Sequence, residues 1–145
     1  MLEKIDTKVV IIGAGIAGLC ISYYLTKKNI PHLILERGEV ANTWINERWE
    51  NFHLVNPNWA IKIPEFSFGS KFFPSKNPDG FLSKIEIIEY IKSFAKHIGS
   101  KIYTNENVTS IEKEKGIYKL ITSKQNINSE IVIIASGAFG ESYIP

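Results

Sequence analysis

The stretch "VVIIGAGIAGLCISYYL", Val9 to Leu25, sets three glycines between an apolar β-branched run and a run of helical character. The run from Lys8 to Ile12 has the continuous apolar pattern of a strand buried on both faces of a parallel sheet, and Ile16 to Lys28 reads as a helix. Asn29, Ile30 and Pro31 end that helix, and His32 to Leu35 form a second short strand that stops at Glu36. Together these elements make a βαβ unit, whose crossover is right-handed.

Gly13, Gly15 and Gly18 satisfy G-x-G-x-x-G. Alone the pattern is weak, because glycines also make plain turns, but here it sits between a strand and a helix, with an acid at the end of the next strand. Each position has a physical task. Gly13 permits the tight turn out of the strand, Gly15 lets a pyrophosphate reach the main chain, and Gly18 lets helix and strand pack closely. The unpaired N–H groups and positive dipole end at Gly15, Ile16 and Ala17 then face the phosphates, so no lysine is required, and the whole loop from Gly13 and Ala14 to Gly18 is expected to border the cofactor. Glu36 accepts hydrogen bonds from the ribose hydroxyls of a bound adenosine, and its charge opposes a 2′-phosphate there. The pattern points to dinucleotide binding and leaves FAD and NAD both open.

Outward from this unit, residues 37–79 hold the three tryptophans and five of the eight phenylalanines, without a sustained period. Trp49 and Trp59 are expected in the core, as large aromatics usually are. Ser83 opens a further helix through a capping box with Glu86, and Ile87, Ile88, Ile91, Ala95 and Ile98 form its apolar stripe before Gly99. Lys101 to Tyr103 reads as a short strand. Val108 to Glu112, Ile117 to Thr122 and Ile127 to Ser129 read as an antiparallel meander, and Ile131 to Ala135 returns to the buried parallel type. The expected fold is α/β: a Rossmann-like parallel sheet with helices on its faces and a small antiparallel β-meander, one domain over residues 1–145.

Bulk properties narrow the function. The chain has 145 residues, 44% of them hydrophobic and 22% charged, which suits one globular domain with a real core. A formal charge of +2 gives no reason to expect a nucleic-acid or membrane partner, and the apolar stretch breaks at Gly13, too early for a signal peptide or membrane span. A cytoplasmic location is the resulting expectation. One cysteine, Cys20, excludes an internal disulfide framework and reads as a small buried apolar residue. His32, His53 and His97 are dispersed, so no metal site is expected, and structural roles are expected for His32 and His97.

The segment "ERGEVANTWINERWENFHLVNPNWAIKIP" that follows the ribose-binding acid resembles the corresponding stretch of flavin-dependent monooxygenases, the flavin-containing and Baeyer-Villiger group. "FPSKNPDGFLSKIEIIEYIKSFAKHIG" and the terminal "IVIIASGAFGESYIP" resemble the same family, whose strand ends in A-T-G. The resemblance implies an FAD-binding domain, with NADPH reducing FAD and one oxygen atom of dioxygen passing to a small-molecule substrate. It implies that Arg37 flanks the adenosine site, that Thr43 and Trp44 line the pyrophosphate and flavin region, and that Val108 offers its backbone to the adenine. Ala135, Ser136 and Gly137 close over the cofactor, and Asn56 falls near the reactive flavin edge.

The departures are Ala41 and Asn42 where many relatives have two glycines, and Ser136 in place of the usual threonine. Relatives also continue into an NADPH-binding domain and a strand that returns to enclose the flavin. The chain therefore resembles an N-terminal half. Three readings stand: the FAD-binding portion of a monooxygenase or related oxidoreductase, a non-catalytic dinucleotide-binding fragment working with a second chain that supplies the NADPH-binding part, and an NAD-dependent dehydrogenase. The aromatic segment after Glu36 counts against the last.

Overall fold

The computed structural model describes residues 3–138; residues 139–145, the end of the terminal segment that carries part of the resemblance, lie outside the described residues. Six strands form one sheet in the order β3-β2-β1-β6-β5-β4. These are β1 (Glu3–Ile12), β2 (His32–Leu35), β3 (Ile102–Tyr103), β4 (Val108–Glu114), β5 (Ile117–Thr122) and β6 (Gln125–Ile134). β1 pairs in parallel with β2 and β6, and β2 in parallel with β3, while β5 joins β4 and β6 antiparallel. The helices are α1 (Ile16–Lys27), the short α2 (Asn42–Asn46) and α3 (Lys84–Ile98).

The two-residue period of the strands divides the core into two layers. Val9 and Ile11 of β1 and Ile34 of β2 join Leu19 of α1 and Ile87, Ile91, Phe94 and Ile98 of α3 in one buried cluster. Val10, Leu33 and Leu35 point the other way and pack with Leu120 of β5 and Ile127 of β6. Helices thus cover one face and the antiparallel strands complete the apolar layer on the other. Phe66, wholly buried, anchors the irregular segment to the helical layer by stacking on Phe72, with ring centroids 4.4 Å apart, and by meeting Phe94 at 5.1 Å. Tyr90 donates its hydroxyl to the Phe66 carbonyl.

α3 starts as its sequence predicts: the Ser83 hydroxyl caps the Glu86 N–H, and the Glu86 carboxylate accepts from the Ser83 N–H at 2.8 Å. It ends at Gly99 with φ of 69°, the left-handed conformation glycine adopts without strain.

Three expectations change. The stretches 127–129 and 131–135 are not two strands: residues 125–134 form the single strand β6, because Asn126, Asn128 and Ser129 pair at once with β1 and β5. Polar residues there mark a strand shared by two ladders, not a turn. Second, Trp49 and Trp59 are 66% and 58% exposed, so they are not core residues; Trp49 rests edge-on against Phe52 at 4.8 Å. Third, Cys20 is only half-buried at the rim of the helical core, where burial raises its thiol pKa.

Candidate functional site

At the carboxyl ends of the parallel strands the structure has a cavity of about 510 Å³, lined by the glycine loop, the end of β2, the first turn of α2, the approach to β4 and the residues after β6. Crevices outside the carboxyl ends of parallel strands are where open α/β sheets bind ligands.

The three glycines differ in what a side chain would meet. Gly13 has φ of 110°, and a Cβ there would lie 2.3 Å from the Ala135 carbonyl oxygen; a Cβ on Gly18 would lie 2.0 Å from the Gly13 oxygen. Both are required by the protein's own packing. Gly15 has nothing within 4 Å of its Cβ position, and its φ of −85° is open to any residue. The fold therefore does not need glycine at position 15, and the space left open belongs to the cavity. Gly15 is also the N-cap of α1, with no side-chain cap, so the first-turn N–H groups beside Ile16 and Ala17 open onto the cavity.

Glu36 is 7% exposed, and its two oxygens are used separately: Oε2 accepts from the Ala14 N–H at 2.8 Å and Oε1 from the Gly38 N–H at 2.9 Å. The carboxylate ties the glycine loop to the turn after β2. Each oxygen retains a second acceptor direction, which is what vicinal ribose hydroxyls require. The loop is held on its other side by the Gly13 N–H to the Leu35 carbonyl and the Ala135 N–H to the Ile12 carbonyl, both 2.8 Å.

Of the residues singled out from the sequence, Gly13, Gly15, Ile16, Ala17, Glu36, Arg37, Thr43, Trp44, Val108, Ala135, Ser136 and Gly137 all border this one cavity. Ala14 is fully buried behind it and acts through its N–H, and Gly18 serves helix packing. Asn56 is exposed and is not among the cavity-lining residues, so the structure does not bring it to the site. The reason is local: the chain around it is drawn toward α3 by Leu54 N–H to the Leu82 carbonyl and Asn58 N–H to the Gly80 carbonyl.

The cavity also includes residues the sequence did not single out for it. Arg48 lies 5.2 Å from the Trp44 ring and 5.1 Å from the Phe52 ring, a cation held over aromatic faces at the wall. Its carbonyl accepts from the Lys84 ammonium at 2.7 Å. Arg37, also at the wall, pairs with Glu47. Ala41 holds φ of 68°, the left-handed region in which glycine is at ease, so the first glycine of the resembling proteins' pair has a conformational reason. Glu106 and Asn107 lie beside Glu36, with the Glu106 N–H donating to the Glu36 carbonyl at 2.9 Å.

The histidines serve packing and hydrogen bonding. His32 Nδ1 sits 2.8 Å from the Ile30 carbonyl, which requires a proton on that nitrogen; a neutral ring then accepts the Ser22 hydroxyl at Nε2, also 2.8 Å away. His97 pairs with Glu65. Among the described residues no cluster of histidine, cysteine and carboxylate side chains could hold a metal ion, and no helix is long and apolar enough to cross a membrane.

A glycine whose side-chain space is vacant at a helix mouth, with a carboxylate tying the loop to the next strand, is the arrangement of the dinucleotide-binding α/β folds. The chain belongs to the pyridine nucleotide-disulphide oxidoreductase family, whose model matches residues 10–145. An uncharacterized CzcO-like oxidoreductase of Geobacillus kaustophilus is 33% identical over 94% of this chain and 38% of its own length. A probable indole-3-pyruvate monooxygenase of Arabidopsis thaliana, YUCCA1, is 29% identical over 94% of this chain and 32% of its own. The solved structure of OTEMO in complex with FAD and NADP superposes with a TM-score of 0.78 at 20% identity, covering 99% of this chain and 28% of that one. The chain thus spans a third or so of the length of these relatives, and it shares the fold of the corresponding part of the OTEMO structure.

Proposed function

We propose that this chain is the FAD-binding portion of an NAD(P)H-dependent flavoprotein monooxygenase or related oxidoreductase acting on a small organic substrate. The observation that carries the reading is the vacancy at Gly15 beside the uncapped mouth of α1, in line with the free acceptor directions of Glu36. A diphosphate suits the first and a ribose the second.

The chain's own residues bind and orient. N–H groups at the start of α1 hold the diphosphate, and Glu36 holds the sugar while its charge disfavours a 2′-phosphate, so FAD fits this cavity better than NADP. Thr43, Trp44, Arg48 and Ala135 to Gly137 line the same cavity and complete its wall around the cofactor. Ile12, Leu35 and Ala41 keep the floor apolar and exclude water. When bound, FAD supplies the redox and oxygen-transfer chemistry itself.

A second reading, a dinucleotide-holding portion that works only with NADPH-binding residues from a second chain, has its own support. The end of β6 over Ile131 to Ile134 pairs with β1, while its pairing with β5 stops at Ser129, and Ile134 is 70% exposed. Flavin absorbance of the purified protein followed by NADPH oxidation in air separates the readings. Bound flavin with turnover supports the first, bound flavin without turnover the second, and NAD affinity without flavin overturns both.

A further inference from the structure

We infer that Glu106 reads the base of the bound nucleotide, accepting the 6-amino group of adenine and excluding purines that present an oxygen there. The inference rests on the adenine-dinucleotide reading above.

Glu106 is a carboxylate only 2% exposed, in the wall of the cavity. A buried carboxylate is an acceptor with no donor of its own, and it is costly unless its lone pairs are met. One oxygen is accounted for. The Thr122 hydroxyl accepts the N–H groups of Lys124 at 3.2 Å and Gln125 at 3.0 Å, which leaves its single proton to donate, and the nearest acceptor is Glu106 Oε1 at 2.6 Å. The turn between β5 and β6 thereby fixes the carboxylate's position. Among the described residues, no other group donates to it.

Its place along the cavity follows from the main chain. The Glu106 N–H bonds the Glu36 carbonyl, so Glu106 stands directly beside the residue that meets the ribose. Val108, whose backbone borders the same cavity, is two residues further on. A nucleotide with its ribose at Glu36 sets its base against this edge. Adenine offers an N–H donor at position 6, whereas hypoxanthine offers an acceptor oxygen there and keeps a donor only at N1, and unsubstituted purine offers neither.

The test compares the affinities of ADP and IDP for the full chain by calorimetry. The wild-type protein is expected to prefer ADP by about ten- to hundredfold, the range for one hydrogen bond to a charged group. Glu106→Gln keeps an oxygen for the Thr122 hydroxyl and places an amide donor beside the base, so the preference should fall to near unity. An unchanged ratio in this variant overturns the inference, as does equal affinity of the wild-type protein for the two nucleotides. Independently of any variant, purine riboside 5′-diphosphate, which lacks the 6-amino group, should bind the wild-type protein about tenfold more weakly than ADP; equal binding overturns the inference. If FAD and ADP bind and Gly15→Val abolishes both while the base preference is absent, Glu106 alone is misassigned. If neither binds, the dinucleotide reading fails with it.

Discussion

The Glu36 carboxylate accepts the Ala14 N–H at 2.8 Å, so the acid at the end of β2 holds the glycine loop 22 residues before it. The same residue that is suited to grip a ribose also shapes the loop that faces the diphosphate. Glu36→Gln leaves one acceptor oxygen for two N–H groups and turns an amide donor toward the other. A loss of about 1–3 kcal/mol in unfolding free energy is expected, together with weakened FAD binding. Urea denaturation and FAD titration of the same variant measure both, and a variant that lost binding at full stability would separate the two roles.

The glycines give a sharper contrast. Gly15→Val should fold with a stability loss of no more than about 1–2 kcal/mol, the scale of an unfavourable N-cap residue, because a Cβ there meets nothing within 4 Å, yet it should not bind FAD. Gly18→Ala should be severely destabilised, since its Cβ would meet a backbone carbonyl oxygen at 2.0 Å. Thermal melts of the two variants should differ in this order, and a Gly15→Val protein that melts early would show that position 15 serves the fold.

Glu65 sits at a surface junction of three donors. The Tyr23 hydroxyl at 2.7 Å, the Lys27 ammonium at 2.9 Å and the His97 ring at 2.7 Å converge on its carboxylate and lower its pKa from 4.5 to about 2, the Tyr23 hydrogen bond being the largest cause. A depressed carboxylate pKa stabilises the folded state fully above the unfolded value, and the contribution is lost as pH falls from about 4.5 toward 2. The melting temperature of wild type should drop through that window more steeply than that of Glu65→Gln. Parallel curves would contradict the assignment.

Ser83→Ala removes the hydroxyl half of the α3 capping box while leaving the packed face of the helix intact. The expected cost is about 1 kcal/mol, read from the denaturation midpoint at unchanged slope.

What is legible in the sequence, and what is hidden there, follows from distance along the chain. The βαβ unit and the α3 cap are local patterns, with glycines, acid and capping residues within a few turns of their partners, so the order of residues alone discloses them. The cavity wall is not disclosed this way. Glu106 joins Glu36 only because β3 lies beside β2, and Arg48 reaches the wall because Trp44 and Phe52 flank it in a segment with no period. β6 is obscured for a related reason: a strand that serves a parallel and an antiparallel ladder at once carries asparagine and serine where a turn is otherwise expected. Asn56, placed near the flavin edge by similarity to other chains, stands exposed outside this cavity, in a segment tied by backbone hydrogen bonds to the approach of α3.

The central claim is that this chain grips a flavin through the adenylate half of the dinucleotide. Equilibrium dialysis of the purified protein against FAD and against FMN, which lacks that half, tests it most directly. The account predicts retention of FAD, release of FMN, and loss of FAD in Gly15→Val. Equal retention of FMN, or undiminished FAD in the variant, would contradict it.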